Sequence, residues 1–481
     1  MKNMDKQQNQ HGLHRWNRRE FIKMAGAGAA ALATLSIAGC DAGKDGPHAA
    51  RPSVSGSMTY RESKKGEKVS LLGFGMMRLP TVDKRALQRG STAAIDQELV
   101  NSLVAEALEY GVNYFDTSPR YAQGQSERVL GIALKPFPRD KYLIATKLSN
   151  FTESDWSREA SIAMYENSFK ELQIEMIDYM LLHGIGMGDD AMKAFNSRYI
   201  DNGMLDFLLE QREKGRIRNL GFSYHGDIRI FDHALAMGVD WDFVQIQLNY
   251  IDWKHAKEIN TRNTNAEYLY GELQKRNIPA IIMEPVLGGR LASMNGNRKA
   301  IAMLKAADPE STPAQWALRY AGHHKGVLTV LSGMTFREHL RENIATYSPL
   351  KPLNDSELEM LEKVAELMVG FKTLPCNTCQ YCMPCPYGLD IPSIFEHYNH
   401  CVSEENYVAD THDAHYGSAR RAFLVGYDRS VPKLRQADHC TGCGRCVPHC
   451  PQRIDIPKEM VKIDRFVESL KQQKNLETGK A

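Results

Sequence analysis

The stretch Asn113-Tyr114-Phe115-Asp116-Thr117-Ser118-Pro119-Arg120-Tyr121 decides how the rest of the chain is interpreted. Its first residues are apolar and are bounded by a glycine and a proline, so the pattern predicts a short buried strand. The strand ends on the carboxylate of Asp116, and the phenol of Tyr121 follows in a loop before a helical pattern that begins near Gln125. A strand that delivers polar side chains just before a helix is typical of the catalytic end of an α/β barrel.

The same pattern repeats along the chain. Further apolar runs end in turn on Lys147, His183, Ser223 and Gln245, and helical segments separate them. The predicted strands lie near 69–74, 113–116, 142–146, 177–182, 217–222, 241–246, 279–284 and 326–331. Eight alternating strands and helices between Val69 and Tyr347 predict a (β/α)8 TIM barrel, with these polar residues at one end.

Length and composition indicate a multidomain globular protein. The chain has 481 residues, of which 43% are hydrophobic and 25% are charged. The formal net charge is only +2, so no electrostatic footprint for nucleic acid is present and no such partner is expected. Eight of the ten cysteines fall in two closely spaced runs near the C-terminus.

Residues 1–40 are predicted to be a targeting segment rather than part of the fold. Arg18-Arg19 precede an uncharged Ala/Gly-rich stretch that is too short for a stable membrane span, as in a twin-arginine export signal. The segment ends Ile37-Ala38-Gly39-Cys40, which resembles a bacterial lipobox. We therefore expect an exported protein, anchored through acylated Cys40 on the periplasmic side of a bacterial membrane. The alternatives are a basic tail and an ordinary cysteine.

The remaining chain divides into predicted segments. Residues 41–56 are rich in Gly, Ala, Pro and Ser and predict a flexible tether. The barrel is predicted over 57–348, with a hairpin from Ser57 to Lys68 ahead of its first strand. Residues 349–371 predict a linker with an amphipathic helix. Residues 372–481 then carry the cysteines and end in a helix.

The two cysteine runs predict iron–sulfur clusters. They read Cys376-x2-Cys379-x2-Cys382-x2-Cys385-Pro386 and Cys440-x2-Cys443-x2-Cys446-x3-Cys450-Pro451. The second run has the spacing of a bacterial [4Fe–4S] motif, whose fourth cysteine often ligates the other cluster. By that logic one cluster takes Cys376, Cys379, Cys382 and Cys450, and the other takes Cys440, Cys443, Cys446 and Cys385. Zinc sites or disulfides are the alternatives, but zinc leaves the third cysteine of each run without a purpose. The intervening residues predict helices, hence a small α-helical ferredoxin-like domain.

The chain from about Ser57 to Ser348 resembles the aldo-keto reductases. The matching elements, in order, are Asp116-Thr117-Ser118 with Tyr121, Gly124-Gln125-Ser126-Glu127, Thr146-Lys147, Leu181-Leu182-His183, Gly221-Phe222-Ser223, Val244-Gln245-Ile246, Glu284-Pro285 and Arg341-Glu342-Asn343-Ile344. The cysteine runs resemble the ferredoxin-like tail that one branch of that family carries.

The resemblance implies a catalytic group of Asp116, Tyr121, Lys147 and His183. Tyr121 would supply the proton in carbonyl reduction, and Lys147 would lower the pKa of its phenol from the free value near ~10. Asp116 would keep Lys147 charged and oriented. His183 would donate a hydrogen bond to the substrate oxygen.

The resemblance also implies a nicotinamide cofactor, NADP or NAD. Ser223 and Gln245 would hold the carboxamide, and the full expected set is Gly75, Met76, Ser223, Gln245, Met283, Pro285, Leu287, Gly333, Arg337, Arg341 and Asn343. The chain departs from the family pattern in three places: Tyr224 replaces an Asn, Met283 replaces an aromatic residue, and the pair Gly333-Met334 replaces the Lys and Ser of NADP-preferring relatives. Arg337 or Arg341 could supply the missing charge, so the choice between NADP and NAD stays open.

Taken together, the sequence predicts an oxidoreductase that interconverts a carbonyl and an alcohol on a small-molecule substrate. Its two [4Fe–4S] clusters would relay electrons one at a time between the nicotinamide and a redox protein partner. The alternative is a redox-sensing or electron-transfer module whose barrel binds nucleotide without turning over substrate.

Overall fold

The computed structural model describes residues 56–87, 92–188, 190–260, 263–450 and 452–478. The predicted export signal, Cys40 and the predicted tether up to residue 55 lie outside these residues. Within the described ranges, no helix combines the length and the apolar character that a membrane span requires. The barrel and the cysteine-rich domain belong to one compact unit.

Two short strands precede the barrel and pair with each other. β1 (Tyr60–Glu62) and β2 (Lys68–Ser70) form an antiparallel hairpin in which Tyr60 is opposite Ser70. The first barrel strand was expected to begin at Val69, but Val69 and Ser70 belong to the hairpin and the barrel strand begins at Leu72. The reason is that the hairpin is longer than predicted and takes up these two residues.

Eight parallel strands then close into a barrel, which confirms the predicted α/β fold. They are β3 (Leu72–Gly75), β4 (Tyr114–Asp116), β5 (Leu143–Leu148), β6 (Ile177–Ile185), β7 (Ile217–Tyr224), β8 (Phe243–Gln247), β9 (Ala280–Met283) and β10 (Val327–Ser332). Each strand pairs with its neighbour in sequence, and β10 closes the ring on β3.

Helices alternate with the barrel strands and cover the outside. The main ones are Gln97–Glu109, Ser126–Leu134, Arg158–Leu172, Met204–Glu213, Ile228–Ala236, Ala266–Lys275, Pro313–His323 and Arg337–Thr346. Four further α-helices, which the sequence pattern did not predict, are Ala191–Phe195, Asp252–Ile259, Arg290–Ser293 and Arg298–Ala307. The helix Asp355–Val369, expected in a linker, packs Leu361, Val364, Ala365 and Met368 into the same hydrophobic core as the barrel helices.

The cysteine-rich domain is built from three helices with a core of its own. These are Ile391–Ser403, Tyr416–Ser430 and Ile456–Thr478, and their buried faces meet around residues such as Phe395, Phe423 and Met460. The cysteine runs lie in the loops before Ile391 and before Ile456. The region is thus helical, as expected for an α-helical ferredoxin-like domain.

Candidate active site

The alternation of side chains along each strand brings the predicted polar residues into the barrel mouth. Tyr114, Ala145, Leu181, Phe243 and Ile281 belong to one buried cluster inside the barrel. Successive side chains of a strand point to opposite faces, so the residue two positions further on faces the same way. That residue is Asp116, Lys147, His183, Gln245 and Met283, respectively. One rule of backbone geometry therefore delivers a carboxylate, an ammonium, an imidazole, an amide and a thioether to the same end of the barrel.

Lys147 and Asp116 form a buried ion pair at this end. The Nζ atom of Lys147 lies 2.6 Å from Oδ1 of Asp116 and also donates to the carbonyl oxygen of Thr117 at 2.7 Å. Lys147 is 0% exposed and Asp116 is 3% exposed. Burial lowers the pKa of Lys147 and raises the pKa of Asp116, while the pairing opposes both shifts. Removing one partner would leave a buried charge without compensation.

Tyr121 joins this pair from the loop that follows β4. The Nζ atom of Lys147 lies 4.7 Å from the centroid of the Tyr121 ring, and the His183 ring packs edge-on against Tyr121 with centroids 5.8 Å apart. The structure thus brings all four predicted catalytic side chains together. Their neighbour Glu284, at the end of β9, is also close enough to influence the Tyr121 phenol electrostatically.

In this structure the rise caused by burial outweighs the lowering of the Tyr121 pKa that was expected from Lys147. Burial raises the pKa of the Tyr121 phenol well above 10, and the nearby Asp116, Tyr381 and Glu284 add to the rise. The ammonium of Lys147 lies over the ring face and is hydrogen-bonded to Asp116 and to the Thr117 carbonyl oxygen. Tyr121 is therefore a neutral phenol, a proton donor rather than a phenolate.

His183 is held as a neutral imidazole by its surroundings. Burial lowers its pKa well below 6.5, and the cations Lys147 and Arg198 lower it further. Its Nδ1 atom lies 2.5 Å from Oγ of Ser149, and Arg198 donates to the His183 carbonyl oxygen at 2.6 Å. When Ser149 donates to Nδ1, the ring proton lies on Nε2 and is available to a substrate oxygen.

Sequence reasoning missed Ser149 and Arg198 as supports of His183. Ser149 follows Lys147 by two positions, so the alternation of side chains could have indicated it. Arg198 lies on a single π-helical turn, Asn196–Ile200, and nothing in its local sequence marks that role.

The residues expected to bind the nicotinamide carboxamide lie beside the catalytic group. Ser223 accepts a hydrogen bond from the Gly184 backbone at 2.8 Å. Gln245 contacts the sulfur of Met283 through Nε2 at 3.4 Å, and its buried Oε1 makes no hydrogen bond to the described residues. An amide oxygen in this position needs a donor, and a carboxamide N–H would supply one. The donor set therefore fits the nicotinamide end of the expected cofactor. Tyr224 instead packs against Phe231 and donates to the Gly226 carbonyl oxygen.

The residues expected at the other end of the cofactor lie near one another beside β3 and β10. A Cβ atom added at Gly75 would lie 3.6 Å from the Gly333 nitrogen, and Asn343 donates to Ser332 at 2.9 Å. The Met76 side chain is buried in the core, and its backbone N–H and C=O are bonded to Asp116 and Ser126.

The two arginines considered for a phosphate charge are both paired with the same carboxylate. Arg341 contacts Oε1 of Glu106 at 2.5 Å, and Arg337 lies 3.4 Å from Oε2 of Glu106. Glu106 is buried on the helix Gln97–Glu109. Their positive charge is therefore partly neutralised within the barrel.

The segment after Cys376 docks against the barrel mouth. The Asn377 side-chain amide donates to Oε1 of Glu284 at 2.7 Å, and Arg78 donates to the Asn377 and Thr378 carbonyl oxygens at 3.1 and 3.3 Å. Thr378 in turn donates to the Gly288 carbonyl oxygen at 3.3 Å. Pro285 and Leu287, expected to contact the cofactor, lie in the loop that this segment covers; both are buried. Arg78, Glu284 and Asn377 were not predicted to belong to the site, because their proximity depends on how two domains pack.

Four cysteines from the two runs surround one cavity. Cys376, Cys379, Cys382 and Cys450 line it together with apolar residues that include Ile391, Phe395 and Ile454. Burial raises the pKa of the Cys376 thiol to about 11, and the neighbouring Cys450 adds to the rise. This is the first group predicted from the exchanged fourth ligand, and four thiols around an apolar cavity fit a [4Fe–4S] cluster.

The other four cysteines form a second group. Burial raises the pKa of the Cys446 thiol to about 11, and Cys385, Cys440 and Cys443 are near enough to raise it further. Among the described residues, no set of three His, Cys, Asp or Glu side chains is arranged to hold a single metal ion. Cys401 is buried on the helix Ile391–Ser403, outside both groups.

Comparison with known proteins agrees with this two-part organisation. The family model described as "Aldo/keto reductase family" matches residues 71–366, and the model described as "4Fe-4S dicluster domain" matches residues 375–455. The chain is 26% identical to L-galactose dehydrogenase from Arabidopsis thaliana over 325 residues, which is 64% of this chain and 93% of that protein. It is 24% identical to NADH-specific methylglyoxal reductase from Escherichia coli over 307 residues, which is 57% of this chain and 90% of that protein.

Solved structures share the barrel. An aldo-keto reductase from Bacillus halodurans in its holo form superimposes with a TM-score of 0.50 at 24% identity, covering 64% of this chain and 96% of that one. The family model covers more than half of the residues, from the first barrel strand through the helix that follows the barrel. The chain therefore belongs to the aldo-keto reductase family of oxidoreductases and carries a C-terminal 4Fe–4S dicluster domain.

Proposed function

We propose that the protein interconverts a carbonyl and an alcohol with NAD(P)(H), and that two [4Fe–4S] clusters exchange electrons with the nicotinamide. The observation that carries the proposal is the contact between the two domains. The segment between Cys376 and Cys382, which contains three thiols of the first group, touches Glu284 and Arg78 at the barrel mouth. Its Tyr381 is also near enough to influence Tyr121. A cluster on these thiols would sit directly beside the reaction site.

The barrel residues have complementary tasks in this reaction. A bound nicotinamide supplies or accepts the hydride. Tyr121, as a neutral phenol, donates the proton to the carbonyl oxygen from its Oη atom, and His183 donates a hydrogen bond to the same oxygen. The buried ammonium of Lys147, held by Asp116, stabilises the negative charge that forms on Tyr121 as the proton leaves. Gln245 and Ser223 orient the carboxamide.

The named relatives support this chemistry. One is a dehydrogenase of a sugar and the other is an NADH-specific reductase of a dicarbonyl compound, so both names describe carbonyl–alcohol interconversion. A matched aldo-keto reductase barrel with all four candidate catalytic side chains in contact favours turnover over a purely sensory role.

The N-terminal sequence supports an exported, lipid-anchored form of this enzyme. The paired arginines and the lipobox-like segment would carry a folded, cofactor-loaded protein across the cytoplasmic membrane and attach it through Cys40. Replacing Arg18-Arg19 with Lys-Lys and fractionating the cells tests this part. Retention of the protein in the cytoplasm is expected, and unchanged localisation would contradict it.

The enzymatic part is tested on anaerobically purified full-length protein. One portion is denatured, and its iron is counted and its released nucleotide identified. Dithionite is added to a second, native portion while the absorbance of reduced nicotinamide is followed. Two clusters per chain, a nicotinamide nucleotide and carbonyl-dependent reoxidation are the expected results. Bound nucleotide with no turnover of any carbonyl or alcohol would favour the sensor alternative instead.

A further inference from the structure

The loop that follows β9, residues 284–290, has a backbone conformation that depends on its neighbours. Glu284 and Leu287 have positive φ values of +56° and +49°, although neither is a glycine. Gly288 and Gly289 follow with φ values of +66° and +101°. Residues with a Cβ atom adopt this left-handed region at a cost, and they stay there only where surrounding groups hold the backbone. The contacts made by this loop therefore decide whether it keeps its form.

A segment of the cysteine-rich domain supplies contacts to the start and the middle of the loop. We define this segment, residues 373–378, as the strap. The side-chain amide of Asn377 donates to Oε1 of Glu284 at 2.7 Å, and the hydroxyl of Thr378 donates to the Gly288 carbonyl oxygen at 3.3 Å. The strap thus bonds to one of the strained residues and to the glycine turn.

The strap is also bonded at its other end, both to the loop and to its own domain. Arg290, which is 7% exposed, donates to Oγ1 of Thr373 at 2.9 Å. Asn399 of the helix Ile391–Ser403 accepts from the Leu374 N–H at 2.7 Å and donates to the Leu374 carbonyl oxygen at 2.9 Å. The strap is therefore a fixed part of the cysteine-rich domain that reaches the last residue of the loop.

The strap makes a second connection to the barrel, through the loop that follows β3. Arg78 donates to the Asn377 and Thr378 carbonyl oxygens at 3.1 and 3.3 Å. The carbonyl oxygen of Arg78 in turn accepts from Thr335, which follows β10, at 2.9 Å. The strap is therefore tied to the loops after β3 and β9 directly, and to the loop after β10 through Arg78.

The same three loops carry residues that are expected to contact the nicotinamide cofactor. These are Gly75 and Met76 at the end of β3, Pro285 and Leu287 after β9, and Gly333 after β10. A nucleotide that contacts these loops lies between parts of the barrel that the strap joins. Its departure requires the loops to separate, and their separation breaks hydrogen bonds to the strap.

We propose that Asn377 and Thr378 are positioning residues for the nicotinamide cofactor: through them the strap holds residues 284–290 closed and retains the nucleotide from one turnover to the next. The inference rests on the proposed function, since it requires a nicotinamide in the barrel. A retained nucleotide has to be reduced or reoxidised in place, because it is not exchanged with the solution. Cys376 and Cys379, the candidate cluster ligands on either side of the two positioning residues, provide the route for its electrons.

The test measures nucleotide exchange in anaerobically purified full-length protein. Radiolabelled NAD⁺ or NADP⁺ is added, and the label that stays with the protein after rapid desalting is followed over time. The variant Asn377→Ala/Thr378→Val removes both donors to the loop. The control Asn406→Ala/Thr441→Val removes the same groups within the cysteine-rich domain, where Asn406 donates to Glu404 and Thr441 is exposed.

A second pair of variants acts on the strap from the barrel side. A Cβ atom at Gly288 would overlap the Asn377 carbonyl oxygen, whereas a Cβ atom at Gly289 would meet nothing within 4 Å. Gly288→Ala should therefore lift the strap, and Gly289→Ala is its control. Neither change alters the cysteine-rich domain, so this pair gives the answer even if the first variant loses iron.

The unaltered protein and both controls are expected to exchange their nucleotide slowly, over hours. Asn377→Ala/Thr378→Val should exchange roughly tenfold faster, because two hydrogen bonds that oppose opening are lost. Gly288→Ala should also exchange faster than Gly289→Ala. Iron content and cluster absorbance are expected to be retained, which separates a faster exchange from a general loss of structure.

Equal exchange rates in the strap variants and their controls would overturn the inference and leave the proposed carbonyl reaction intact. Exchange that is complete in the unaltered protein before the first desalting would have the same meaning. Absence of bound nucleotide, with no uptake of either label, would remove the proposed function as well. Slow exchange that both strap variants accelerate, in a protein that turns over no carbonyl or alcohol, would support nucleotide retention and favour the sensor alternative.

Discussion

Asn377 of the cysteine-rich domain donates a 2.7 Å hydrogen bond to Oε1 of Glu284 at the barrel mouth. Asn377 follows Cys376 directly, and Glu284 follows Met283 at the end of β9 directly. This bond therefore links the residue after a candidate cluster ligand to the residue after β9, beside the expected nicotinamide site. The second oxygen of Glu284 is buried and makes no hydrogen bond to the described residues. The contact has consequences that can be tested from both sides.

The close approach at Gly288 predicts that the domain contact is sensitive to one methyl group. A Cβ atom at Gly288 would collide with the Asn377 carbonyl oxygen, whereas a Cβ atom at Gly289 would meet nothing within 4 Å. Both glycines have positive φ, +66° and +101°, so alanine is strained at either position. Gly288→Ala should displace the cluster segment and cost about 1–3 kcal/mol of stability, as overpacking does.

Gly289→Ala is the matched control because it shares the strain and lacks the collision. Thermal unfolding and limited proteolysis between the domains measure the difference. Equal melting temperatures for the two variants would show that the Gly288–Asn377 contact does not hold the domains together.

The titration of Glu284 is also predicted to make the stability of the protein depend on pH. Burial raises its pKa from 4.5 to about 7, against the opposing effects of Arg78 and Asn377. Because the folded protein binds this proton more tightly than the unfolded chain, the stabilisation is complete below pH 4.5 and is lost as pH rises through 7. Between pH 6 and 8 the loss should be about 1 kcal/mol. Glu284→Gln keeps an acceptor for Asn377 but cannot ionise.

The measurement is the melting temperature of both proteins across that pH range. The decline should be steeper for the unaltered protein than for Glu284→Gln. Parallel curves would mean that Glu284 does not titrate in this window. Glu127, whose pKa burial also raises to about 7, remains in both proteins and contributes equally to the two curves.

The barrel and the cysteine grouping could be anticipated because each rests on local periodicity. Strand alternation places Lys147 two residues beyond the buried Ala145, on the same face. Motif spacing predicts that Cys450 ligates the cluster of the first cysteine run. The contacts of Arg337 and Arg341 with Glu106 could not be anticipated, because they join side chains more than 200 residues apart. The pKa of Tyr121 depends on burial and on Tyr381, which the packing of a second domain provides. Neither the Glu106 contacts nor the Tyr121 pKa can be predicted from local sequence.

Replacing Arg290 is predicted to shift the reduction potential of the cluster held by the first group. It is buried, donates to Thr373 at 2.9 Å and interacts electrostatically with Cys376, Asp252 and Glu284. A buried positive charge favours the reduced, more negative cluster, so Arg290→Met should lower that potential by tens of millivolts. A redox titration followed by electron paramagnetic resonance measures it.

The control for Arg290 is Arg319→Met, which removes a partly buried arginine paired with Glu357 at 2.9 Å within the barrel domain. Both cluster potentials should stay unchanged in that variant. An equal shift of both clusters in Arg290→Met would indicate a general loss of structure rather than a local charge effect.

The role of Tyr121 as proton donor can be tested by removing its hydroxyl group. Tyr121→Phe removes the proton donor and should reduce carbonyl turnover by roughly 10²–10⁴-fold while cluster spectra and nucleotide content are retained. Tyr114→Phe is the matched control, because its hydroxyl is buried inside the barrel and makes no hydrogen bond within the described structure. Turnover by Tyr114→Phe should match the unaltered protein. Full activity in Tyr121→Phe would exclude the phenol as the acid.

The exchange of fourth ligands predicts which cluster each cysteine supports. Cys450 lines the cavity of Cys376, Cys379 and Cys382, whereas Cys385 lies with Cys440, Cys443 and Cys446. Cys450→Ser and Cys385→Ser should each halve the iron content, and Cys401→Ser, outside both groups, should leave it unchanged. The surviving cluster identifies the group that was lost. In Cys385→Ser the surviving cluster belongs to the first group, so adding Arg290→Met should still lower its reduction potential. In Cys450→Ser the surviving cluster belongs to the second group, so adding Arg290→Met should leave its potential unchanged. The reverse assignment would show that each run binds its own fourth cysteine.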